Sequence, residues 1–110
     1  EARDILGTLH NPHIALFATA GVPPQMEHAK QSLVNAAACL PEGVVPVDTF
    51  ICQGKVDPKV IEMMYKMFPK GHSHGQSADR DVRHKQAAVH PNEDDCKAAS
   101  QFAKHVLDLI

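Results

Sequence analysis

Tryptophan is missing from this chain of 110 residues, and aromatic residues make up only 5% of it, four Phe and one Tyr. With so few rings, a single domain of this length is held to a modest core. An excess of basic charge is missing too. The net charge of −2 excludes the basic face that a nucleic-acid footprint needs. No apolar run approaches the ~20 residues required to span a bilayer, and no cleavable leader precedes the first predicted strand. Cysteine is sparse: Cys39, Cys52 and Cys96 are odd in number and widely spaced. That pattern excludes a disulfide framework or a zinc site and predicts a reducing, cytoplasmic setting. The chain opens at Glu1, without Met. Its first residues, 2–9, place Ile5 and Leu9 at helical spacing, as at the tail of a longer helix. The expectation is a fragment.

What is present begins with IALFATAGVPP, residues 14–24. Ile14, Ala15, Leu16 and Phe17 form an apolar run without alternation, the pattern of a strand buried on both faces in a parallel α/β sheet. Ala18, Thr19, Ala20 and Gly21 follow with almost no side-chain bulk, and Pro23 and Pro24 stiffen the exit. Ligands of open α/β sheets bind outside the carboxyl ends of strands, where a small Gly-containing loop lets the backbone approach closely. An ordinary tight strand-to-helix turn would read the same way.

Farther on, residues 25–40 carry Ala29, Leu33, Ala36, Ala37 and Leu40 in an amphipathic stripe, stopped by Pro41, Glu42 and Gly43. Residues 44–52 alternate and are rich in β-branched side chains, predicting a second strand. Pro46 is confined to its start or to an edge. Asp57 then reads as a helix N-cap with Pro58 behind it. Val60, Ile61, Met64, Met67 and Phe68 make an apolar stripe read as core packing, although Met63, Met64 and Met67 would also suit a partner surface. Residues 69–89 form a polar, charge-mixed excursion with a short helix predicted at 79–88. Loops of such length are usually functional or mobile. Finally HPNEDD opens a last helix with its acids in the first turn. Its predicted buried face is Ala99, Phe102, Ala103, Val106, Leu107 and Ile110. The alternation implies a parallel sheet. Two strands alone would leave an edge unpaired, so further strands are expected from upstream sequence or from a partner chain.

Three other chemistries compete. His72 and His74 in GHSHG, with His84 and His90, invite a metal, but the spacing lacks the fixed partners of a defined site. Cys52 could serve as a thiol nucleophile if a cation or helix N-terminus lowered its pKa; as a small filler at a strand end it needs neither. A hydrolase is excluded by the lack of a G-x-S-x-G elbow. His90, beside Pro91, reads as a helix-entry residue.

Taken in order, IALFATAGVPP, the Ala-rich helix, TFICQGKVDP and HPNEDD resemble the flavodoxin family. They are similar in particular to the later half of single-domain flavodoxin-like proteins such as the partners of bilirubin reductase. The resemblance runs from about His13 onward. It implies a doubly wound parallel sheet binding FMN, with residues 14–17 as its fourth strand and 47–52 as its fifth. The whole chain, 1–110, would be the carboxyl-terminal part of one such domain. By the same resemblance, Thr19, Ala20, Gly21 and Val22 would line the flavin's pyrimidine edge through backbone groups, and Cys52, Gln53 and Gly54 would approach it from the next strand. A role in electron transfer follows, with a reductase and an acceptor enzyme as partners and a homo-oligomer as a further option. The departures are specific. No Ser/Thr- and Gly-rich phosphate loop is present, the loop after the third strand is missing, and Val22, Pro23 and Pro24 stand where an aromatic often stacks on the flavin. Such a chain holds half a site. The alternative is a cofactor-free interaction module of the same fold. A response-regulator-like module would need an acidic pocket at a first strand, and none is evident.

Overall fold

A computed structural model describes residues 1–72 and 75–110. The element order is α1 (Ala2–Leu6), β1 (Leu16–Ala20), α2 (Glu27–Ala37), β2 (Thr49–Gln53), α3 (Pro58–Met67), α4 (Ala78–Ala87) and α5 (Glu93–Leu109). Among the described residues β1 and β2 form one parallel pair, with Leu16 opposite Thr49 and Ala20 opposite Gln53. Side chains at 17, 19, 50 and 52 share one face and those at 16, 18, 20, 49, 51 and 53 the other. Thr49 and Ile51 share a groove with Leu33, Val34 and Ala37 of α2. Phe50 and Cys52 share another with Ala99, Phe102 and Ala103 of α5. Helices on both faces of a parallel sheet are the doubly wound arrangement.

β1 begins later than the apolar run predicts and absorbs the small residues Ala18, Thr19 and Ala20 that the sequence places in a loop. Pairing nevertheless reaches back. The Val47 N–H donates to the Ile14 carbonyl at 2.8 Å, and the Leu16 N–H donates to Asp48 at 3.2 Å. β2 is shorter than 44–52 because Pro46 has no N–H to give a ladder and Gly43 turns the chain at φ +81°.

Among the described residues the buried apolar ones are Ile14, Ala29, Leu40, Cys52 and Ala87, and no large side chain is fully enclosed. A strand buried on both faces is not what forms: Phe17 is 78% exposed because α5 leans on β2 rather than β1. The apolar stripe of α3 is likewise no core. Val60, Met63 and Met67 lie exposed, while Ile61, Met64 and Phe68 are half-buried. On α5, Ala99, Phe102 and Val106 are half-buried, but Ala103, Leu107 and Ile110 are exposed. The radius of gyration, 16.2 Å, exceeds the ~13 Å of a closed domain of about this length. The opening helix stops at Leu6, short of Leu9.

Helix caps explain the remaining boundaries. Asp57 accepts from the Lys59 N–H with Pro58 at the first turn, and Ser77 accepts from the Arg80 N–H. α5 has a full capping box, in which Asn92 Oδ1 accepts from the Asp95 N–H at 2.9 Å and Asp95 Oδ2 accepts from the Asn92 N–H at 2.8 Å. His90 Nδ1 also lies on Asp95 Oδ2. These hydrogen bonds, that from His90 foremost, hold the Asp95 carboxyl below the usual carboxylate range. A depressed carboxylate pKa contributes stability that is present above the unfolded value of about 3.9 and is lost as pH falls toward the folded one. Urea midpoints should therefore drop through the acid limb in the native chain, and Asp95→Asn should flatten that drop. Removing the cap acceptor with Asn92→Ala should lower stability at neutral pH by about 1 kcal/mol. An unchanged midpoint would mean that the start of α5 does not depend on its box.

Candidate functional site

The two strands end side by side at Ala20 and Gln53. The Gly54 N–H donates to the Ala20 carbonyl at 2.7 Å, extending the ladder one residue past β2. Gln53, 3% exposed, sends its side-chain amide across to the Gly21 carbonyl at 3.4 Å. Both strand ends are thus tied to each other, and burying that amide is compensated by its bond. Glycine is needed here for space. A Cβ on Gly54 would stand 3.0 Å from Thr19 Cβ, and one on Gly21 would meet Val56 Cγ2 at 2.5 Å.

Alternation along the parallel ladder decides what the loop can offer a ligand. Ile14, Leu16 and Ala20 direct backbone groups toward β2, so those of Phe17 and Thr19 point to the outer edge of β1. Thr19 is exposed, whereas Ala20, Gly21 and Val22 are half-buried. The structure therefore brings together Thr19, Ala20, Gly21, Gln53 and Gly54 at one strand end. Cys52 lies opposite Thr19 in the ladder, and its side chain shares with Thr19 the apolar groove of Phe17, Phe50, Cys96 and Phe102 on the α5 side of the sheet. Burial pushes its thiol pKa up, with Asp95 and Cys96 adding, the direction opposite to the one that activates a thiol.

Past the loop opens a cleft of about 490 Å³, lined by Gly21, Val22, Met26, His28, Val56, Val60, Met64, Arg80, Arg83 and His84. α4 brings its two arginines and His84 to this wall. The Tyr65 hydroxyl of α3 donates to Asp81 Oδ1 at 3.2 Å and lies 3.0 Å from His84 Nδ1. That three-residue link fixes the imidazole. Burial first, then Arg80, hold His84 below its ordinary pKa. Sequence reading did not single out Arg80, Arg83 or Tyr65. The available signal was the Ser77 cap and the acids that follow it, which announce a helix in the excursion but not its facing.

Among the described residues no group of His, Cys, Asp and Glu could hold a metal ion. The ring of His72 stacks on Phe68, with centroids 4.6 Å apart, and His74 lies outside the described residues. No helix is long and apolar enough to cross a membrane among those residues.

A parallel α/β sheet with helices on both faces and Gly-bearing loops at its carboxyl ends defines the class of open doubly wound α/β proteins, whose ligand sites lie outside those strand ends. A family model described as a flavodoxin domain matches residues 1–104, so the chain belongs to the flavodoxin domain family, its opening helix included. It is similar to the flavodoxin-like domain-containing protein BilS of Clostridioides difficile (strain CD3), 28% identical over 111 residues that cover 97% of this chain and 61% of that protein. It is also similar to the protein of the same name from Clostridium symbiosum (strain WAL-14163), 33% identical over 92 residues, or 83% of this chain and 48% of that one. The chain thus spans roughly half to three-fifths of the length of these curated relatives. No solved structure matches it.

The donor set fits FMN in part. The outward backbone groups of Thr19 and the loop 20–22 suit the polar edge of a flat ring. Nothing in the described residues forms a phosphate cradle of successive N–H groups at a helix start. The carbonyls of Ala20 and Gly21 are already engaged.

Proposed function

We propose that this chain supplies part of a flavodoxin-like domain that carries electrons on FMN bound at the carboxyl ends of its parallel strands. The observation that supports this reading is the tied strand end, with the outward backbone of Thr19 beside the narrow loop 20–22. Thr19, Ala20, Gly21 and Val22 would hold the pyrimidine edge of the ring, and Gln53 and Gly54 would act by fixing that loop. Cys52 would serve the packing of α5 instead. The flavin supplies the redox chemistry; the protein orients it and sets its electrostatic surroundings. A cytoplasmic electron carrier or accessory flavoprotein of this kind works between a reductase and an acceptor enzyme. The net charge of −2 suits docking on basic patches.

One observation favours the cofactor-free interaction module instead. Val56 occupies the space above Gly21, and Val60, Met63 and Met67 stand exposed on α3, as a partner-binding surface would. The two readings separate by colour. The protein from its natural reading frame and the 110-residue chain are purified side by side, and visible absorbance and the mass of released cofactor are recorded. Flavin bands in the natural form support the electron carrier. A natural form that stays colourless with FMN added overturns it in favour of the module.

A further inference from the structure

The two flanks of α3 differ in what they meet. Ile61, Met64, Tyr65 and Phe68 are half-buried, and Tyr65 is bonded to Asp81 and His84 of α4. On the outer flank Val60, Met63 and Met67, spaced i, i+3 and i+7, form an exposed apolar stripe. Lys59 and Lys66, seven residues apart and both exposed, run in a second row along the edge of that stripe. Lys70 stands exposed just past the helix end. Between residues 55 and 70 four lysines thus stand against two carboxylates, although the whole chain is net negative. Both carboxylates are engaged. Asp57 Oδ1 accepts from the Lys59 N–H at 2.9 Å, and Glu62 pairs with Lys66 at 3.1 Å. An exposed pair of this kind is worth little and is readily exchanged for another carboxylate. Among the described residues no carboxylate pairs with the ammonium of Lys59 or Lys70.

We infer that the outer flank of α3 is a docking surface for an amphipathic helix of a partner protein, one that carries carboxylates beside its own apolar row. Charge complementarity selects the occupant: the lysine row asks for acids, and the stripe beside it asks for apolar side chains at the same helical spacing. Ten residues of α3 present a contact about 15 Å long, enough for three turns of a helix laid alongside. Methionine suits such a surface because its unbranched, polarizable side chain repacks around a partner's residues. A lipid surface matches less well, since the stripe carries no ring or Leu to enter the interface and Glu62 stands beside the lysines. Nucleic acid would meet Met and Val where its bases need stacking rings. Val60 also belongs to the wall of the cleft beyond loop 20–22, so the docked helix lies beside the strand end. The inference takes up the partner surface of the interaction module, and it holds equally for a flavin carrier, whose acceptor has to approach that end.

The test uses the protein from its natural reading frame and a fluorescein-labelled designed helix of about five turns. Its apolar row is Leu, flanked by Glu; a control peptide has Lys in place of every Glu. Fluorescence anisotropy should show the Glu peptide binding and the Lys peptide binding far more weakly, with the difference shrinking as NaCl is raised. Lys59→Glu/Lys66→Glu should weaken the Glu peptide on the order of tenfold, as reversal of two rim charges does, and should strengthen the Lys peptide. That gain cannot come from unfolding. Met63→Gln/Met67→Gln should weaken the Glu peptide while leaving the preference for Glu over Lys in place. Absence of binding by the Glu peptide, equal affinity for the two peptides, or a charge reversal without effect overturns the proposal. So does tighter binding to phosphatidylglycerol vesicles than to the Glu peptide, which would make the flank a lipid contact. Anisotropy reads the peptide alone, so its outcome is distinguishable from that of the colour test for flavin.

Discussion

Phe102→Ala should lower the stability of the chain by about 2–3 kcal/mol. Phe102 stacks on Phe50 of β2, with centroids 5.4 Å apart and planes 26° from parallel, and β2 is the element on which α5 rests. Deleting a fully enclosed Phe costs about 3–5 kcal/mol. Phe102 is half-buried, which lowers the figure, while loss of an aromatic pair adds roughly 0.5–1.5 kcal/mol. Urea unfolding should show the lower midpoint, and amide exchange should show α5 losing protection before β1 does. Phe102→Leu keeps most of the volume and should recover about half of the loss. An effect of Phe102→Ala below about 0.5 kcal/mol, within the ordinary range of surface changes, would show that α5 is held by something other than this stack.

The second large effect belongs to Gly54→Ala. The added Cβ would meet Thr19 Cβ at 3.0 Å, and neither atom sits on a flexible side-chain end. Thr19 or Gly54 has to give by a few tenths of an ångström. Overpacking of this kind typically costs about 1–3 kcal/mol, and here it also strains the bond from the Gly54 N–H to Ala20. Faster exchange of that amide, with a lower urea midpoint, is the expected result. Gly43 is the contrast: nothing lies within 4 Å of a Cβ there, but its φ is +81°. Gly43→Ala is therefore disfavoured by backbone conformation alone, by about 1 kcal/mol, and should leave the strand ends untouched. If Gly54→Ala proved harmless, the close approach of the two strand ends would not be what fixes the loop.

Local chemistry made much of this architecture readable. Asp57 with Pro58, and Asn92 with Asp95, mark helix starts by side chain–backbone bonds that need no distant partner, and both helices begin there. The two strands were legible as apolar and β-branched runs, and their order of occurrence fixed a parallel pair. Their boundaries were not legible. Ala18, Thr19 and Ala20 have loop-like bulk, yet Thr19 finds Cys52 opposite and Ala20 finds Gln53, and ladder pairing outweighs side-chain propensity. Burial was misjudged wherever it depended on what lies across from a helix. Periodicity names a face of α3 or α5 but not its cover, so Met67 and Leu107 read as core and stand 67% and 69% exposed. The strand-end cluster was found because small residues at carboxyl ends are a general signal. Arg80 and Arg83 escaped notice because a charged helix in a polar stretch reads the same whether it faces solvent or a cleft, and His84 was read only with the histidines that invite a metal.

The exposed ring of Phe17 and the outward backbone of its strand also govern handling. A row of open N–H and C=O groups beside an apolar ring is a template for pairing with any extended chain nearby. Whichever strand reaches it first, whether from the same protein or from a neighbour, satisfies the same hydrogen bonds. At high concentration the chain should therefore form edge-to-edge dimers and larger aggregates, and a Lys at Phe17 should keep it dispersed.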